Sequence, residues 1–123
     1  MAHPSAGELT DALTNLLHAA RGLSAAFLAT VEGRFLASAG LSGVEQVRLG
    51  AIAAATLATA SKGAQERHLG ALQRVHIVGE AGSILLLQVG PRAILALALA
   101  QDANLDAVLG EAGRATPRLE GLI

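Results

Sequence analysis

Cysteine is absent from this 123-residue chain, which removes disulfides, thiolate nucleophiles and sulfur-ligated metals together and suits a cytoplasmic protein. Tryptophan and tyrosine are absent too. Phe27 and Phe35 are the only aromatic side chains, so base stacking, flavin stacking and aromatic cages have little to build on. Charge of either sign is scarce: 15% of residues are charged, the net charge is -1, and Lys62 is the single lysine. The arginines are scattered, without the basic cluster that a nucleic-acid surface or an acidic membrane requires. Long apolar runs are missing as well. Leu49 to Ser61 is too short to span a bilayer, Ile84 to Ala100 is broken by Gly90-Pro91-Arg92, and Glu8 and Asp11 interrupt what would be the apolar core of a signal peptide.

Catalytic patterns are equally thin. The chain has no G-x-x-x-x-G-K-[ST], no G-x-G-x-x-G and no G-x-S-x-G. His3, His18, His68 and His76 are never spaced as metal ligands, and Gly79 and Gly82 join two strands instead of opening a helix. Glu8 and Glu45 are better explained as helix caps than as acids or bases. The expectation is therefore a non-enzyme with no catalytic residue, no cofactor and no metal.

What is present is aliphatic pattern. With 52% hydrophobic residues, the chain reads as one folded domain over 1–123, with its core at about 8–116 and a loose tail at 117–123. Ser5 and Glu8 have capping-box spacing ahead of Leu9, Leu13, Leu16, Leu17 and Ala20, and Arg21-Gly22 supplies a stop. Ser24–Thr30 and Arg34–Ala39 flank Val31-Glu32-Gly33 as a hairpin whose glycine takes the positive-φ position. Ser42 and Glu45 open a long helix from Val44 to about Arg67. Leu72–Val78 alternates as a strand with one wet face. Ser83–Val89 and Ala93–Leu99 are aliphatic throughout, as strands covered on both faces at the centre of a sheet would be. Asn104 can cap a last helix carrying Leu105, Val108, Leu109 and Ala112, weakened by Gly110, Gly113 and Pro117. The fold expected is α+β, an α/β sandwich: a five-stranded antiparallel sheet in αββαβββα order, with the long helix on one face and the terminal helices on the other.

The long helix carries more apolar surface than one sheet can bury. Leu49, Ala53, Leu57, Ala60 and Ala64 make one stripe, and Val47, Ala51, Ala54 and Ala58 make a second, rotated around the axis. The first is expected on the chain's own core. The second, built of small side chains, is expected against another subunit. A third, polar stripe of Glu45, Arg48, Thr56 and Thr59 with Ile52 at its centre has the character of a protein-binding face.

In this setting Phe27-Leu28-Ala29-Thr30-Val31-Glu32-Gly33-Arg34-Phe35-Leu36-Ala37-Ser38-Ala39-Gly40, followed by the alanine-rich helix, resembles the Roadblock / dynein light chain 7 family. The run Val75 to Gly90, ending in Ala93-Ile94-Leu95-Ala96-Leu97, is similar to that family's three-strand half, and the likeness covers about residues 8 to 116. The resemblance, which extends to the bacterial, Mgl-type polarity GTPase regulators, implies a dimer whose long helices pair and whose third strands meet edge to edge. It implies that Val47, Ala51, Ala54 and Ala58 together with Arg74, Val75, His76 and Ile77 form the subunit interface. It also implies a small Ras-like GTPase as partner, bound or stimulated to hydrolyse GTP, for which the stripe of Glu45, Arg48, Ile52, Thr56 and Thr59 is the candidate face, while charge and apolar run lengths speak against nucleic acid and membrane insertion. A PAS- or GAF-like small-molecule sensor and a purely structural dimerisation module are the other readings.

Overall fold

The computed structural model describes residues 6–123 and orders them as α1 (Ala6–Ala19), β1 (Leu23–Thr30), β2 (Phe35–Ala39), α2 (Gly43–Glu66), β3 (Arg74–Val78), β4 (Gly82–Val89), β5 (Ala93–Ala100) and α3 (Leu105–Leu122). The expected αββαβββα order and antiparallel five-stranded sheet are both found, with strand order β2-β1-β5-β4-β3. Sequence places β4 and β5 at the centre. The structure centres β5 alone, because β1 returns to pair with it from Leu23↔Leu99 to Thr30↔Ala93, leaving β4 between β5 and the edge strand β3. Alanine is a poor strand former, yet Ala25, Ala26 and Ala29 of β1 are all buried: packing on both faces of this strand outweighs intrinsic propensity.

The terminal helices cover one face. Leu9, Leu13 and Leu16 of α1 and Val108, Ala112 and Leu119 of α3 close over Leu28, Leu85, Leu95 and Leu97. The cap expected at Ser5 lies outside the described residues. The Asn104 cap forms, its Oδ1 accepting the Ala107 N–H at 3.1 Å. The loose tail expected after Pro117 is a correction: α3 runs through Pro117 to Leu122. Proline inside a helix costs about 3 kcal/mol. Leu119 is fully buried, and Leu122 and Ile123 pack beside it. At about 1.5–3 kcal/mol for each fully buried large aliphatic side chain, that burial offsets the cost.

The long helix covers the other face, where Ala53 and Leu57 meet Phe27, Ala29, Ile94, Ala96 and Leu86. Its start differs in detail from a capping box, since the Ser42 hydroxyl donates to Glu45 Oε1 at 3.0 Å and makes no bond to the backbone. Its end comes at Glu66, with Arg67 as the cap, as expected, and His68 takes the left-handed turn at φ 56.

Candidate functional site

The stripes of α2 separate as their spacing requires. Ala53, Leu57 and Ala64 are buried and Leu49 and Ala60 half-buried, so the first stripe faces the chain's own sheet. In the second stripe Val47 is 73% exposed, Ala51 and Ala58 are exposed, and Ala54 is half-buried. This flank leans on the β1–β2 turn. A Cβ at Gly33 would lie 3.6 Å from the Ala54 Cβ, and one at Gly50 would come within 2.9 Å of the Gly33 carbonyl oxygen. Two glycines thus let helix and hairpin touch by their backbones, and Gly33 takes the positive φ of the turn, +100°, as expected.

The polar stripe lies around the axis from there, and its Ile52 end turns toward β3. Glu45, Arg48 and Thr59 are exposed, Thr56 is half-buried, and Ile52 is 56% exposed. Ile52 and Leu49 line an apolar groove of about 50 Å³ whose floor includes Ile77 of β3, Ile84 and Leu86 of β4 and Ala96 of β5. The structure therefore brings Ile77 together with Ile52, and it sets the Val47, Ala51, Ala54, Ala58 stripe on the flank nearer the hairpin, where Ala51 and Ala54 face Gly33. The two halves of the interface expected from sequence are not neighbours. A helical wheel orders stripes around an axis but does not say which flank turns to which sheet edge; the backbone approach of Gly33 and Gly50 decides it in three dimensions.

The third strand is the barer of the two sheet edges. Val78 is 72% and Ile77 42% exposed, Arg74 and His76 are exposed, and Val75 is half-buried. The Gly79 N–H donates to the Gly82 carbonyl at 2.8 Å, which sets the alternation of the β3–β4 ladder. Residues 75 and 77 then turn their backbone polar groups to β4. Arg74, His76 and Val78 turn theirs outward, where no strand meets them. The side chains alternate too: Val75 and Ile77 share the α2 face of the sheet, while Arg74, His76 and Val78 share the other face.

Among the described residues no buried side chain is polar or charged, and no group of three or more His, Cys, Asp or Glu side chains could hold a metal ion. No helix among them is long and apolar enough to cross a membrane. His18, His68 and His76 fall on α1, on the α2–β3 connection and on β3, and His3 lies outside the described residues.

The family model for the Roadblock/LC7 domain matches residues 9–99. No curated protein matches the sequence at a significant level. Among solved structures, the Roadblock/LC7 domain from Streptomyces avermitilis superposes with a TM-score of 0.87 at 13% identity, covering 91% of this chain and 94% of that one. MglB of Myxococcus xanthus gives 0.87 at 19% identity, over 99% and 92%. An MglB with a tetrameric arrangement gives 0.86 at 20% identity, over 99% and 91%. At these identities the likeness is one of fold, and the sandwich described above is the fold they share.

Proposed function

We propose, from the premise that the chain belongs to the Roadblock/LC7 family, that it is a homodimeric regulatory scaffold which docks a small Ras-like GTPase and contributes position instead of catalytic groups. The observation that carries the reading is the meeting of two unfilled features on one side of the molecule, the open edge of β3 and the aliphatic groove between Ile52 and Ile77. A second copy fills both at once. Antiparallel pairing of β3 with its own copy would satisfy the outward N–H and C=O groups of Arg74, His76 and Val78. On the α2 face it would set Val75 opposite the partner's Ile77 and continue the aliphatic floor from one subunit into the next.

The partner's α2 then lies along the groove. On this flank Ile52 projects, and Ala55, Thr56, Thr59 and Ala60 border a shallow hollow; two-fold symmetry offers each knob to the other's recess. This reading exchanges the flanks given above: Ile52, with Thr56 beside it, belongs to the dimer, and the outward surface formed by Val47, Arg48, Ala51 and Ala58 belongs to the GTPase. The tetrameric arrangement of that MglB supports association of this fold with itself. The groove itself, at about 50 Å³, falls far short of the roughly 300–1,000 Å³ of small-molecule sites, which favours a side chain of a partner as its occupant.

The test pairs solution mass with titration against the Ras-like GTPases of the same genome in both nucleotide states. A dimer that binds one state more tightly, with Arg48→Ala weakening binding and leaving the mass unchanged, is the expected result. A folded dimer with no affinity for any of them in either state contradicts the GTPase reading.

A further inference from the structure

Resting on the dimer just proposed, the geometry points to a proton-sensitive site at the two-fold axis, made of His76 from each copy. The first step is symmetry. If two identical antiparallel strands continue one sheet, the two-fold axis runs perpendicular to that sheet and leaves its faces unchanged. Directly opposite residues share a face, and faces alternate along a strand, so one residue must stand opposite its own copy. For a five-residue strand, Arg74–Val78, pairing is longest when that residue is the middle one, His76. This is also the register in which every outward backbone group of the strand meets a partner, because Arg74, His76 and Val78 are the residues whose N–H and C=O point away from β4.

The second step is charge. On the face shared by the paired imidazoles, Arg74 lies two positions along the same strand, and the partner's Arg74 lies diagonally across. The neighbours on β4 are Leu85 opposite, with Ser83 and Leu87 beside it. The hollow next to His76 is bordered by Val78, Gly79, Gly82, Ser83, Leu99, Ala100, Gln101, Ala103 and Leu105, none of them titratable. Glu80 of the β3–β4 turn and Asp102 and Asp106 near the start of α3 are exposed and lie outside that border. Protonating both imidazoles therefore adds two cations to the two Arg74 guanidinium groups on the same face near the axis, with Glu80 of the turn as the nearest acidic residue along the strand.

The sign follows. Dimerisation brings the imidazoles together and disfavours their charged form, so the monomer binds protons more readily than the dimer. Association is therefore stronger in alkaline than in mildly acidic solution. The partner that senses acidity is a second copy of the chain.

The experiment measures the dimer dissociation constant by sedimentation at about pH 8 and about pH 5.5, for the wild type and for His76→Gln, whose amide stays neutral. The wild-type constant is expected to rise about tenfold on acidification, and that of His76→Gln by less than about twofold. An equal response in both proteins overturns the His76 site and leaves the dimer standing. A wild type that is monomeric at pH 8 overturns both.

Discussion

The two edges of the sheet have opposite treatments. β2 is short and is held from both sides: α1 and α2 pack on it, Ala37 is buried, Gln46 of α2 donates to the Ser38 hydroxyl at 2.9 Å, and its pairing with β1 breaks register at Leu28/Ala29. A covered, irregular strand is a poor template for another chain. β3 is of the same length, regular in register, and makes no more than marginal contact with any helix. An edge left regular, aliphatic on one face and uncovered is the kind that proteins protect unless pairing is its purpose. On the dimer proposed above, the difference between the edges separates the one that is complete within the chain from the one that a second copy would complete.

Matched charge insertions would break that comparison most forcefully. Ala37→Glu on β2 forces a carboxylate into the core under α1 and is expected to cost about 3–5 kcal/mol, unfolding much of the protein, as chemical denaturation would report. Ile77→Glu on β3 should change the stability of the fold by no more than about 1 kcal/mol, while raising the dimer dissociation constant by about 100-fold in sedimentation. Equal losses of stability at both edges would mean that β3 is protected in some way not evident from its exposure.

A smaller effect sharpens the assignment of the two flanks of α2. Ile52→Glu is expected to weaken self-association about tenfold and Val47→Glu less than about twofold, although Val47 is the more exposed. The reverse order would return the interface to the Val47, Ala51, Ala54, Ala58 stripe. The smallest effect belongs to the turn that leads into the protected edge. Gly33→Ala puts a side chain at φ +100° and should cost about 1 kcal/mol of thermal stability without altering the mass in solution.

Much of this was legible in the sequence. Alternation in Val75 and Ile77, the aliphatic runs flanking Gly90, and the Leu49, Ala53, Leu57 spacing each report a local period, and local periods fix elements and their buried faces. Three features were not legible, all because they depend on distant contacts. Leu119 sets the end of α3 from a core it reaches only in three dimensions, overriding the stop signal of Pro117. The centre of the sheet shifts to β5 because β1, far away in sequence, pairs beside it. The flank of α2 that faces β3 depends on how the helix seats against Gly33 through Gly50, a contact between backbones that no hydrophobic pattern records.

The central claim is that β3 closes on its own copy, and amide hydrogen exchange resolved by residue across a dilution series tests it most directly. The N–H groups of Val75 and Ile77 turn toward β4 and should be slow to exchange at every concentration. Those of Arg74, His76 and Val78 turn outward and should be slow only where the protein is dimeric, quickening as it is diluted to monomer. That alternation, switched by concentration, is the predicted result. Fast exchange at Arg74, His76 and Val78 in a protein that sedimentation shows to be dimeric would contradict it.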